Sequence, residues 1–107
     1  MTNKSAIAIF YIPCKNQEEA DYIARSLLDL KLVACTNTIS GESRYEWNDQ
    51  LCADSECYLI AKSFPELADQ IEEKTMELHS YDLPCIARWT ATVNSDYHNW
   101  MRAQIKK

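Results

Sequence analysis

The sequence predicts one α+β domain of split β-α-β topology, a two-layer sandwich extended by a long β-hairpin and closed by an extra C-terminal helix. Three observations predict it. Segments with strand character alternate with segments of helical period in the order βαβ, then β, then αβα. Two long strand-like runs meet at a short polar turn in mid-chain, the pattern of a hairpin. The 107 residues, 47% hydrophobic and 25% charged, suffice for one core and leave no room for a second, so residues 1–107 form a single domain.

The first element, Ser5–Ile12, is apolar at nearly every position and rich in β-branched and aromatic residues, as expected of a central strand covered on both faces. A turn at Pro13–Cys14–Lys15 follows. Asn16 with Glu19 three residues later has the form of a capping box, and Ala20, Ile23, Ala24 and Leu27 repeat at helical spacing, which predicts a first helix to about Leu30. Leu32–Trp47 reads as one long strand bent at Gly41, because an isolated glycine in a strand marks a bulge or kink. Asn48–Asp49–Gln50 supplies turn residues, and Leu51–Lys62 returns as the partner strand. Ser63 with Glu66 has the form of a second capping box, Pro65 fits a first helical turn, and Phe64, Leu67, Ala68, Ile71, Thr75 and Leu78 share one face of a second helix. His79–Pro84 is a loop, Cys85–Val93 a fourth strand, and Ser95–Gln104 a closing helix with Tyr97, Trp100 and Met101 turned inward. With right-handed crossovers, this order gives the ferredoxin-like arrangement.

Composition excludes several functions. The net charge of −5 disfavours a nucleic-acid surface, which needs clustered Lys and Arg against phosphates, and the three tryptophans without a basic groove read as packing anchors. A single glycine removes both the dinucleotide fingerprint and the P-loop. No apolar run approaches the roughly 20 residues of a membrane span and no signal pattern opens the chain, so no membrane partner and a cytoplasmic location are expected. The five cysteines are odd in number and form no C-x-x-C pair, which predicts reduced thiols packed as small hydrophobes.

The stretch Ala34-Cys35-Thr36-Asn37, Gly41, Ser43, Tyr45 and Trp47 closely resembles the A-C-x-N, G, S-x-Y-x-W signature of the CutA-like divalent-cation tolerance family. The resemblance continues through Glu56, Leu59 and Lys62, through His79–Pro84, and through Tyr97 and Trp100, so that it covers essentially the whole chain. It implies a homotrimeric, non-catalytic protein of divalent-cation tolerance that binds copper or another divalent cation. The protruding hairpin independently requires a partner, because it presents unpaired edges and aromatic residues with little core of their own. The chain departs from the family pattern at Asp49 in the hairpin turn, Ser80 after His79, and Cys85 in place of a glutamate.

Candidate metal ligands are His79 and Cys85, an imidazole and a thiolate suited to copper or zinc. The competing structural reading has His79 capping the second helix and Cys85 buried in a strand. Asn37, Ser43, Tyr45, Trp47, Glu56, Lys62 and Tyr81, with His79, form a mixed polar and aromatic set for a ligand cleft or a trimer interface. Glu56 and Lys62 stand an even number of positions apart on one strand and can share a face. A metabolite-binding regulatory module, by fold analogy with trimeric nitrogen-regulatory signalling proteins, is the alternative function. Cys35 is read as a packing residue because no basic neighbour in sequence lies nearer than Lys31, and His98 as a surface or interface residue. The residues identify no protein partner beyond further copies of the chain.

Overall fold

The computed structural model describes residues 5–105. Strand β1 (Ala6–Cys14) lies inside a four-stranded antiparallel sheet of order β2-β3-β1-β4. Its apolar composition follows from that place: Ala8, Phe10, Ile12 and Cys14 enter one core, and Ile7 enters another on the opposite face. The strand runs through Pro13 and Cys14, where a turn is expected from the sequence. Pro13 pairs with Tyr58 of β3 beyond the last β4 pair, Tyr11 with Ala87, so it sits where β1 has an open side, as a proline tolerates.

Helix α1 (Gln17–Asp29) starts as the sequence predicts, with the Asn16 side chain accepting from the Glu19 N–H at 2.9 Å. It ends in a Schellman motif: Lys31 N–H donates to the Leu28 carbonyl and Leu32 N–H to the Leu27 carbonyl, each at 3.0 Å, with Lys31 left-handed at φ 61°. That closure uses up residues 30–32, so β2 begins at Cys35 rather than Leu32.

Strands β2 (Cys35–Trp47) and β3 (Gln50–Ser63) form the hairpin. Their register is unbroken from Cys35 opposite Lys62 to Trp47 opposite Gln50, so there is no bulge at Gly41, and Gly41 has no positive φ. The expected bend is replaced by a steric reason for glycine. A Cβ at position 41 would stand 2.3 Å from Tyr58 Cε2. The turn is two residues long, with Asn48 and Asp49 at φ 52° and 63°, the left-handed pair of a type I′ turn. We expect Asp49→Gly to raise stability by about 0.5 kcal/mol, through relief of a left-handed side chain offset by glycine entropy. Thermal unfolding at matched protein concentration checks it, and a lowered midpoint contradicts it.

The second expected capping box does not form. Ser63 ends β3, buried, and its hydroxyl donates to the Leu32 carbonyl at 2.5 Å, while Glu66 pairs with Arg102 at 2.5 Å. Pro65–Leu67 make a 3-10 turn that leads into α2 (Ala68–Leu78). Strand β4 (Ala87–Thr92) is shorter than expected, and Cys85 lies exposed in the loop before it. In α3 (Ser95–Ile105), Met101 is fully buried, but Trp100 is exposed and stacks on Tyr97 at 5.4 Å instead of turning inward.

Helices α1 and α2 cover one face of the sheet over a core that includes Phe10, Ile23, Leu27, Leu59 and Ile71. Arg88 of β4 ties that layer down through Asp69 at 2.9 Å and Glu72 at 3.5 Å. Part of the other face is covered by α3, with Met101 against Ile7, Ala34 and Phe64. The hairpin reaches beyond both layers and lengthens the molecule to 47 × 28 × 22 Å.

Candidate functional site

Directly opposed residues of an antiparallel pair share a face, so the register sorts the hairpin side chains. Cys57, Leu59, Ala61 and Ser63 point to the helices, while Glu56, Tyr58, Ile60 and Lys62 stand on the other face with Asn37, Ile39, Gly41 and Ser43 opposite the first three and Asp54. Glu56 and Lys62 thus share one face. Lys62 does not reach Glu56; its ammonium lies over the Tyr97 ring, 5.4 Å from the centroid.

Glu56 is the centre of a hydroxyl cluster. Ser43 Oγ donates to Glu56 Oε1, Tyr81 Oη donates to Oε2 at 2.6 Å, and the Ser43 and Tyr58 hydroxyls lie 2.9 Å apart. Burial, and then the Glu56 carboxylate that holds its proton, raise the Tyr81 phenol above its ordinary value. Tyr11 stacks on Tyr58 at 5.7 Å and completes the wall. Tyr45 is outside this cluster: it donates to Asp54, whose carboxylate pushes the phenol up to about 12. Trp47 lies near the hairpin tip, and Asn37 is exposed at the opposite end of β2.

Tyr81 is placed by the loop that follows α2, and that loop is anchored by His79 and Glu19. His79 caps α2 through its N–H to the Thr75 carbonyl at 3.0 Å. Its ring is enclosed: Nε2 meets the Pro13 carbonyl at 2.8 Å, and Nδ1 accepts from the Tyr81 N–H at 3.1 Å. A carbonyl only accepts and an amide N–H only donates, so the ring is the Nε2–H tautomer. Glu19, buried, accepts from the Lys15 N–H through Oε1 and from the Ser80 N–H through Oε2, each at 2.9 Å. Desolvation alone would raise its pKa; the hydrogen bonds from Lys15 and Ser80, with His79 beside it, outweigh that and hold it below the ordinary carboxylate value. Sequence reasoning sees Glu19 only as a capping partner, because Ser80 lies 61 residues away.

Cys14 Sγ joins His79 and Glu19, the three ligand-type atoms lying within 4.8 Å of one another. They do not fit a cation as folded. Both imidazole nitrogens and both carboxylate oxygens carry hydrogen bonds, and burial, then Glu19, Cys57 and Glu56, push the Cys14 thiol up to about 12. Cys85 is exposed rather than buried in a strand, near enough to Tyr11 to help raise that phenol. Cys35 has the basic neighbour that its sequence surroundings lack, since Lys62 stands opposite it across the strand pair, and burial, then Cys35, raise the Tyr97 phenol. His98 is half-buried, edge-on to Phe64 at 5.1 Å.

Four antiparallel strands in this order, with two crossover helices on one face, define a ferredoxin-like α+β sandwich whose hairpin carries a polar cluster on the face away from those helices. The chain belongs to the CutA1 divalent ion tolerance protein family, whose model matches residues 8–104. It is 33% identical over 100 residues to the divalent-cation tolerance protein CutA of Pyrococcus horikoshii, covering 92% of this chain and 98% of that one. Its fold superposes on the CutA1 crystal structure from Ehrlichia chaffeensis with a TM-score of 0.91 at 29% identity, covering 94% and 96% of the two chains. The periplasmic divalent cation tolerance protein CutA of Archaeoglobus fulgidus gives 0.89 at 28% identity, covering 94% and 99%.

Proposed function

We propose that the protein serves divalent-cation tolerance as a cytoplasmic homotrimer that binds rather than catalyses. The observation that carries the reading is the sheet face left open beyond α3. Ile39 is 54% exposed, Trp47 51% and Trp89 50%, on a hairpin and an edge strand that the described residues leave half open. Such a face is closed in soluble proteins by a partner, and three copies around an axis leave no free edge. Light scattering is expected to give three times the chain mass, and Ile39→Glu with Trp89→Glu to give one. A monomeric wild type contradicts the proposal.

The cation contact proposed from the resemblance is copper or a related divalent ion at His79 and Cys85. It requires the imidazole to give up the Tyr81 N–H or the Pro13 carbonyl, so affinity is expected to be modest. Calorimetric titration with copper and with zinc tests it on wild type, His79→Ala and the exposed-site variant Cys85→Ser. Heats unchanged in both variants remove these two residues as ligands.

The Glu56 cluster supports the second reading, a metabolite cleft between subunits. A carboxylate ringed by the Ser43 and Tyr81 hydroxyls beside the Tyr58 and Tyr11 rings can orient a small polar ligand. A ligand that raises the melting temperature of wild type and not of Glu56→Gln supports it.

A further inference from the structure

We infer that Cys14 and Cys57 form a redox-modifiable pair, closing to an intramolecular disulfide under peroxide. The two residues are directly opposed in the antiparallel pairing of β1 with β3. Opposed residues there have Cα atoms about 4.5 or about 5.5 Å apart according to pair type, and both values fall in the range of about 4.4–6.8 Å that a disulfide spans. Being opposed, they project from the same face, here the helix-covered one, where both are buried among the core residues.

Both thiols are free and neither is committed to a strong partner. Cys14 Sγ contacts the Ile12 carbonyl at 3.4 Å, and Cys57 Sγ contacts Gln17 Oε1 at 3.5 Å. The remaining cysteines are placed differently: Cys35 is opposite Lys62 and Cys52 opposite Tyr45, on the other side of the sheet, and Cys85 is exposed in a loop. The pair is therefore selected by register from five cysteines.

Access is asymmetric. Cys57 lines a shallow cleft with Gln17, Ser40 and Glu56, whereas Cys14 has no exposed surface. Cys57 is the thiol that a peroxide meets. Its sulfur attacks one peroxide oxygen, the O–O bond breaks, and sulfenic acid and water form. The Cys14 sulfur then attacks the Cys57 sulfur and displaces the sulfenic oxygen, which leaves as water with the Cys14 proton, so that two thiols and one hydrogen peroxide give one disulfide and two waters. The bond would join the strand whose Pro13 carbonyl meets the His79 ring to the strand that carries Glu56, the acceptor of the Tyr81 hydroxyl.

Wild-type protein, folded and reduced, is exposed to hydrogen peroxide, quenched, unfolded and alkylated, then mapped by mass spectrometry. The expected result is loss of two of the five alkylatable thiols, recovered by dithiothreitol, with one cross-linked peptide pair carrying Cys14 and Cys57. A variant with Cys35, Cys52 and Cys85 all replaced by Ser is expected to give the same pair. The inference is overturned if Cys14 and Cys57 both remain alkylatable while other cysteines oxidise, or if Cys57 proceeds to sulfinic acid with Cys14 still free. Because wild type itself gives the decisive map, failure of any variant to fold does not blunt the test.

Discussion

Glu19→Ala is expected to lower stability by about 3 kcal/mol and to free the loop that carries Tyr81. The carboxylate is buried and accepts the Lys15 N–H and the Ser80 N–H, so truncation removes the partner of two backbone donors at once and leaves a gap beneath the loop. Glu19→Gln keeps the shape but turns one acceptor into a donor facing an N–H, and should recover less than half of the loss. Urea unfolding at fixed protein concentration gives the energy, and amide exchange at Ser80 and Tyr81 reports the loop. Protection at those two amides unchanged in Glu19→Ala would show that the loop is held by something else. The same carboxylate sets an acid limit. Its folded pKa is lowered, so its contribution is complete above the unfolded value of about 4.3 and is lost as pH falls through the folded value. Glu66, lowered by its hydrogen bond to Arg102, acts in the same direction and over the same range. The pH dependence of the difference between wild type and Glu19→Ala therefore isolates Glu19, and that difference should shrink as the medium becomes acidic.

Glu19 also shows where a sequence stops being readable. Its role at the helix start is local, and the Asn16 cap is met as predicted. Its second partner is 61 residues away, and no spacing rule points there. Ser63 and Glu66 have the same local pattern, yet neither caps, because the Leu32 carbonyl and Arg102 compete successfully for them. The strand order was legible because hydrophobic period and connection lengths leave few topologies open. The Schellman end of α1 was not, since Lys31 stands where glycine would have announced it. At the candidate site, the common face of Glu56 and Lys62 follows from strand alternation, whereas the meeting of Glu56 with Tyr81 across a loop, and the enclosure of His79, depend on contacts between residues far apart in the chain. Composition places Cys85 in a strand, but it is exposed in the loop before β4, because β4 begins only where Ala87 finds Tyr11.

Gly41→Ala is expected to destabilise the protein by about 1–2 kcal/mol, against the usual benefit of replacing glycine in a strand. The Tyr58 side chain leaves β3 opposite Ile39, lies along β2 over Gly41, and brings its hydroxyl within 2.9 Å of Ser43. An added methyl would stand 2.3 Å from Tyr58 Cε2, so the ring must swing away. A free tyrosine would do so cheaply. This one is held by the Ser43 hydroxyl and by stacking on Tyr11, and Ser43 is in turn bonded to Glu56, so displacement disturbs the cluster on which the metabolite reading rests. The overpacking cost of about 1–3 kcal/mol outweighs the roughly 0.4–1 kcal/mol gained by restricting the unfolded chain. The ring is the obstacle, so shortening it should restore room: Gly41→Ala combined with Tyr58→Leu should be more stable than the sum of the two single losses predicts. Denaturant unfolding of the four proteins of this cycle measures the coupling. A Gly41→Ala protein as stable as wild type, or a cycle with no coupling, would mean that glycine is required here for some reason other than the tyrosine above it.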